Sequence, residues 1–147
     1  MYKRILIPTD GSKLSNRGVK AGVALAKALG ATVVGYHAVE PPEHIYQAIG
    51  AGARPSQVDA IDRQLRDEGE GYLEQIRKAA AAAGVACETL ITNPTAPWQG
   101  IIEAARRERC DAICIASHGR GFIASALLGN VAHKVLTHSK LPVLVCR

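Results

Sequence analysis

The stretch ASHGRGFIASALLGN, residues 116–130, decides how the chain is organised. It follows an apolar run at 111–115 (DAICI) that predicts a buried strand, and it leads into residues 123–138, whose spacing predicts a helix. Gly119 and Gly121 lie between the two. Such a strand, glycine turn and helix is a typical anion site, because the N–H groups of the turn point at the ligand and the helix dipole favours negative charge. The rest of the chain is therefore expected to support this loop.

The remaining sequence alternates strand and helix patterns along one domain that spans residues 1–147. Strands are predicted at residues 2–8, 31–39, 86–92, 111–115 and 141–146. This alternation predicts an α/β fold, an open doubly wound sheet of five parallel strands with helices on both faces. We expect the strand order 3-2-1-4-5. In such sheets a ligand binds where the order reverses, which is the crevice between strands one and four.

Residues 43–55 (EHIYQAIGAGARP) form the longest loop candidate, and the pattern leaves open a short helix around 45–49. A loop of this length is often functional, so a lid over the ligand site is one interpretation. The next helix is expected to start at a capping box formed by Ser56 and Asp59. Inside that helix, Gly69 and Gly71 would each cost about 1 kcal/mol relative to alanine if exposed.

Composition narrows the function classes. No apolar run reaches the length of about 18 residues that a membrane span needs, and the short apolar start is followed at once by Pro8 and Asp10, unlike a signal peptide. We therefore expect a soluble cytoplasmic protein. A net charge of +5 permits an anionic ligand, but aromatic residues make up 4% of the chain and basic runs are short, so nucleic acid is not expected. Four cysteines without a C-x-x-C pattern predict reduced, mostly buried thiols.

The residues near the crevice suggest separate roles. Asp10 ends strand one, where it either accepts a hydrogen bond from a ribose hydroxyl or caps the first helix. Gly119 fits a left-handed turn or a close backbone approach. Gly129 falls inside the predicted helix, where it admits a phosphate or packs tightly, and Arg120 either closes on phosphate or stays in solvent.

Several of these motifs resemble the universal stress protein family. The ATP-binding members of that family carry a glycine, two residues, a glycine, nine residues, a glycine and then a serine or threonine. The matching positions here are Ala116, Gly119, Gly129 and Asn130, so alanine replaces the first glycine and asparagine the hydroxyl residue. The Ala116 methyl would narrow the approach to a ligand, whereas the Asn130 amide still offers donors.

The resemblance also covers the segments IPTDGS at 7–12, SHGR at 117–120 and PVLV at 142–145. It implies that the Pro-Thr-Asp segment after strand one contacts adenosine and that Ala38 lies against the adenine. The nucleotide-binding positions that it implies are Pro8, Thr9, Asp10, Ala38, Ala116, Ser117, His118, Gly119, Arg120, Gly129, Asn130 and Val131.

Two functions remain open at this point. One is a stress-response domain that binds an adenine nucleotide, ATP with Mg²⁺, and at most hydrolyses it slowly. The other is a dimeric interaction module of the same family that binds no nucleotide. The edge strand at 141–146, which is bounded by Leu141 and Cys146, is apolar and predicts a homodimer.

An enzyme is disfavoured. Ser117 and His118 would point to opposite faces of an extended strand, so they make a poor nucleophile and base pair. The five histidines show no metal-ligand spacing, and no metal site is expected.

Overall fold

The computed structural model of the chain describes residues 1–41, 43–120 and 127–147. Its elements run in the order β1 (Arg4–Pro8), α1 (Lys13–Leu29), β2 (Thr32–Ala38), α2 (Glu43–Gly50), α3 (Pro55–Ala83), β3 (Cys87–Thr92), α4 (Pro97–Arg107), β4 (Ala112–Ala116), α5 (Asn130–His138) and β5 (Val143–Cys146). The strands form one parallel sheet with the order β3-β2-β1-β4-β5, which confirms the predicted topology.

Strand β1 lies at the centre of the sheet, where the strand order reverses. Ile5 is the register partner of Val33 on one side and of Ala112 on the other. Because all strands are parallel, the carboxyl ends of β1 and β4 open at the same edge of the sheet. The chain leaves β1 at Thr9 and β4 at Ser117, so the segments after these strands face each other there.

Helices cover both faces of the sheet, as predicted. Ile5 and Ile7 point to the face that packs against α1 and α3, while Leu6 points to the face that packs against α4 and α5. All three side chains are fully buried, which is the arrangement expected for the middle strand of a parallel sheet. This double-sided core holds the loops at the carboxyl edge in fixed positions.

The helix predicted to begin at residue 123 begins later. Helix α5 starts at Asn130, and the chain at 127–129 is not helical; residues 121–126, including Gly121, lie outside the described residues. Gly129 is extended (φ −67°, ψ 154°) and its N–H donates to the Ser117 carbonyl at 2.7 Å. That tertiary bond keeps the chain extended up to Asn130, so Gly129 precedes the helix and does not lie inside it.

The length of α2 and the start of α3 differ from the expectations. The segment 43–55 contains the helix that the pattern left open, and this helix is longer than expected, Glu43–Gly50. The capping box at Ser56 does not form, because α3 begins at Pro55 and the Arg54 N–H donates to Gln57 Oε1 at 3.0 Å. Proline suits the first helical position, since its fixed φ is helical and it needs no N–H partner there.

All four cysteines are free thiols, as the sequence predicts. Cys110 and Cys114 are buried, and burial raises the pKa of the Cys110 thiol to about 11. Burial also raises the pKa of Cys114, whose Sγ lies 3.4 Å from that of Cys146. The Cys110 and Cys114 thiols therefore stay protonated and act as small apolar side chains. Across the described ranges, none of the helices is long and apolar enough to span a bilayer.

Candidate functional site

A cavity of about 350 Å³ opens at the carboxyl edge of the sheet, between the segments that follow β1 and β4. This is the crevice that the strand order predicts. Its wall also includes the carboxyl end of β2 and the start of α5, together with Leu65, Glu68 and Tyr72 from α3. The described lining includes no residue of 43–55, so nothing supports the lid predicted for that segment.

The structure brings most of the predicted site residues to this cavity. The predicted residues that line it are Pro8, Thr9, Asp10, Ala38, Ala116, His118, Gly119, Arg120, Gly129, Asn130 and Val131. Ser117 instead lies beneath the surface at 5% exposure. Its N–H donates to the Cys146 carbonyl at 2.7 Å and its own carbonyl accepts from Gly129. Ser117 therefore holds the loop between β5 and the start of α5.

The carboxylate of Asp10 faces the loop after β4 and does not cap the first helix. Ser12 is the N-cap of α1, with its hydroxyl accepting from the Ser15 N–H at 3.1 Å. Asp10 Oδ1 accepts from the Ser12 N–H at 2.9 Å, and Oδ2 accepts from the Arg120 N–H at 2.6 Å. One carboxylate thus joins the end of β1 to the loop that follows β4.

The side chain of Arg120 lies against α3. Its Nε donates to the Asp10 carbonyl at 2.8 Å, and its Nη2 donates to the Tyr72 hydroxyl at 2.6 Å. The guanidinium carbon also lies 5.2 Å from the centre of the Tyr72 ring, within the range of a cation–π contact. The sequence left two partners open for Arg120, a phosphate or bulk solvent, and Tyr72 is neither of these.

Tyr72 and His37 form a wall of the cavity that the sequence did not reveal. Their rings meet edge to face with centres 5.3 Å apart. His37 Nδ1 lies 2.8 Å from the Thr9 carbonyl oxygen, which can only accept, so Nδ1 carries the proton. Tyr72 lies at apolar helical spacing with Leu65 and Ile76, a pattern that by itself favours core packing. The hydroxyl of Tyr72 is the feature of the sequence that could have indicated a polar role.

Gly119 and Gly129, the two glycines that match the family motif, each lie too close to a neighbouring segment to carry a side chain. Gly119 has no positive φ, but a Cβ there would meet Asp10 Oδ2. A Cβ on Gly129 would lie 2.9 Å from the Ser117 carbonyl oxygen. The first helical bond of α5 runs from the His133 N–H to the Gly129 carbonyl, so the amides that precede it are not used within the helix. Of these, Asn130, Val131 and Ala132 line the cavity.

The methyl group of Ala116 is accommodated on the side of α1. A Cβ built on Gly18 of α1 would lie 3.1 Å from the Ala116 Cβ, so the alanine side chain faces that helix. The glycine at position 18 leaves the space that the methyl fills. Ala116 also lines the cavity, so the expectation that its methyl narrows the approach to a ligand stays a prediction.

Ser117 and His118 do contact each other, contrary to the sequence argument. His118 Nδ1 lies 3.2 Å from Ser117 Oγ. The strand ends at Ala116, so the alternation of an extended strand does not apply to the two residues after it. Because Ser117 is buried, this contact stabilises the loop and does not present a nucleophile to the cavity. The described residues contain no cluster of three or more metal-ligating side chains.

The burial of His37 predicts a pH dependence of stability. Burial lowers the pKa of His37, with the Thr9 carbonyl opposing this shift, so protonation favours the unfolded chain. The free energy of unfolding should therefore rise with pH from the folded-state pKa up to the unfolded value of about 6.5. Urea unfolding between pH 5 and 8 measures this slope. The slope should flatten in His37→Gln and persist in His133→Gln, which removes an exposed imidazole.

Comparisons with known proteins show which family and which solved structures this chain resembles. The model of the universal stress protein family matches residues 1–147. A universal stress protein of Methanocaldococcus jannaschii is 31% identical over 100% of this chain and 83% of its own length. A second universal stress protein of that organism has a solved structure that is 28% identical, with a TM-score of 0.84 over 99% of this chain and 95% of that one. A solved universal stress protein in complex with cAMP is 26% identical, with a TM-score of 0.69 over 99% and 97% of the two chains.

Proposed function

Because this chain belongs to the universal stress protein family, we propose that its crevice binds an adenine nucleotide as part of a stress response. The observation that supports this most directly is the convergence of three elements on one cavity. Asp10 at the end of β1, the loop at Gly119 and the first amides of α5 all line it. One of the similar structures is a complex with cAMP, an adenine nucleotide.

Each part of a nucleotide has a suitable partner in the cavity. The amides at the start of α5 and the backbone at Gly119 suit a phosphate group, since helix starts and glycine turns both favour anions. Ala38 at the end of β2 is a small apolar surface for the base. Asp10 suits a ribose hydroxyl, because a carboxylate has about four acceptor sites and two of them already accept the Ser12 and Arg120 N–H groups.

ATP is the nucleotide that the family resemblance implies, and Mg²⁺ would neutralise part of its phosphate charge. The position of the Ala116 methyl against Gly18 is compatible with ATP. Asn130, where the family motif has a hydroxyl residue, lines the cavity and offers an amide donor. The chain thus retains hydrogen-bond donors at the phosphate end of the cavity.

Titration calorimetry with Mg-ATP, with AMP and buffer as comparisons, tests the proposal. We expect binding by at least one adenine nucleotide and a loss of about tenfold or more in affinity in Asp10→Ala, since one charge-assisted hydrogen bond contributes about 1.5–3 kcal/mol. Asp67→Ala is the matched control, because Asp67 is exposed on α3 and does not line the cavity. A folded protein that gives no heat with millimolar nucleotide would reject the proposal.

The second candidate function, a dimeric interaction module, is favoured by strand β5. It lies at the edge of the sheet next to β4, and Leu144 is 48% exposed on it. An apolar edge strand offers unpaired backbone groups to a second chain. We propose a homodimer through β5, which is compatible with nucleotide binding as well as with its absence. The cytoplasmic location stays a prediction from the sequence.

Analytical ultracentrifugation at micromolar concentration tests the dimer. We expect a dimer for the native chain and a shift towards monomer in Leu144→Lys, because a buried lysine at the interface is unfavourable. Leu29→Lys changes an exposed leucine at the end of α1 and should leave the dimer intact. A native chain that sediments as a monomer would contradict the proposal.

A further inference from the structure

The charges that line the cavity are mainly negative. Asp10, Glu40 and Glu68 contribute three carboxylates, and Arg120 is the single lysine or arginine among the described lining residues, which leaves a formal charge of −2. The undescribed segment at 121–126 adds no charge, because its sequence is GFIASA. Residues 116–131, which match the family's phosphate-binding motif, therefore contain one arginine and no lysine.

These charges act within one small region. The pKa of His37, lowered first by burial, is further lowered by Arg120 and raised by Asp10 and Glu68. All three groups are thus close enough to one imidazole ring to affect its protonation. A phosphate group in the cavity would experience the same carboxylates, and because Glu40 and Glu68 are exposed, their repulsion is screened by salt.

The single guanidinium is suited to a single phosphate. An arginine fork pairs with one phosphate through two parallel N–H donors. Arg120 lines the cavity, with Nε donating to the Asp10 carbonyl and Nη2 donating to the Tyr72 hydroxyl, so a phosphate would pair with the remaining N–H groups of Nη1 and Nη2. Each additional phosphate would add negative charge to a lining that holds no further lysine or arginine in the described residues to neutralise it.

We infer that the crevice selects adenine nucleotides that carry one phosphate group over metal-free ATP. This inference rests on the proposed function, because it concerns the ligand class of the same site. The carboxylates repel the additional phosphates of ATP and so favour AMP over ATP. Arg120 attracts a phosphate group and so favours AMP over adenosine. The site therefore ranks AMP above both adenosine and metal-free ATP.

Calorimetry with adenosine, AMP and ATP, without divalent cations and at one fixed low ionic strength, tests the ranking. We expect AMP to bind about tenfold or more tightly than ATP, and the difference to shrink in high salt, which screens the repulsion. Metal-free ATP that binds as tightly as AMP would overturn the inference and leave the proposed function standing. Absence of binding by all three ligands would instead reject the proposed function, and the inference with it.

Two variants test the electrostatic origin. Glu68→Gln should narrow the affinity ratio of AMP to ATP by several-fold, while Asp67→Asn, the same charge change at the neighbouring exposed position, should leave it as in the native chain. Arg120→Gln should remove the advantage of AMP over adenosine. An unchanged ratio in Glu68→Gln, or an undiminished advantage in Arg120→Gln, would contradict the roles assigned to these charges.

Discussion

Gly119→Ala is expected to weaken adenine nucleotide binding by at least about tenfold while the protein stays folded. The added Cβ would clash with Asp10 Oδ2, which accepts the Arg120 N–H at 2.6 Å. Either the loop moves away from β1 or the carboxylate rotates, and each response breaks that bond. Backbone strain does not contribute, because the φ angle of Gly119 is one that alanine adopts.

Calorimetry gives the change in affinity, and hydrogen exchange gives a readout that needs no nucleotide. The Arg120 amide should exchange faster in Gly119→Ala, since its acceptor is displaced. Gly50→Ala is the control, because a Cβ on Gly50 has no atom within 4 Å outside its own helix turn. Native affinity together with native protection of the Arg120 amide would show that the close approach to Asp10 has no effect on the site.

The sheet topology follows from the sequence because it depends on features that each segment carries by itself. Apolar runs such as ILI at 5–7 and AICIA at 112–116 are buried on both faces, and long amphipathic segments separate them. Parallel order and right-handed crossovers then leave few arrangements. The position of the crevice follows from the strand order alone, which is why both loops were placed correctly.

The start of α5 does not follow from the sequence because a distant contact sets it. Residues 123–138 carry a helical pattern, but the Gly129 N–H donates to Ser117 and the helix begins one residue later. The hydrogen bond from the Gly129 N–H to the Ser117 carbonyl overrides the helix propensity of residues 127–129. For α2, the glycines at 50 and 52 are typical of a loop, whereas in the structure Gly52 (φ 89°) forms the turn that ends the helix.

The contribution of α3 to the candidate site is likewise a tertiary property. Glu68 and Tyr72 lie more than fifty residues from β1 in sequence and reach the cavity because α3 packs beside α1 on one face of the sheet. Within α3 they resemble an ordinary exposed carboxylate and an ordinary core aromatic. The pairing of Tyr72 with Arg120 needs the position of the loop after β4, which no local pattern contains.

Two glycines of α3 that the sequence treats alike should respond in opposite directions to alanine. Gly71 has no atom within 4 Å of an added Cβ outside its own helix, so Gly71→Ala should raise the free energy of unfolding by about 0.5–1 kcal/mol through helix propensity. Gly69 is buried, and its added Cβ would meet the His37 ring and lie 2.7 Å from Ile91 Cδ1. Overpacking of this kind costs about 1–3 kcal/mol.

The His37 ring has little freedom to relieve the contact. Its Nδ1 donates to the Thr9 carbonyl. The Tyr72 and His37 rings also pack edge to face, with their centres 5.3 Å apart. The Ile91 side chain is flexible at its end and can adapt at lower cost. The gain in helix propensity offsets part of the penalty, so we expect Gly69→Ala to lower the free energy of unfolding by about 1–2 kcal/mol net.

Urea unfolding of both variants beside the native chain measures the difference, with equal slopes against urea as the condition for comparing midpoints. Equal stabilisation by the two alanines would show that α3 can shift away from β2 and β3 at little cost. Opposite signs would show that the glycine at position 69 is required by the close approach of helix to sheet. Because His37 lines the cavity, displacement of its ring in Gly69→Ala should also reduce nucleotide affinity, which Gly71→Ala leaves unchanged.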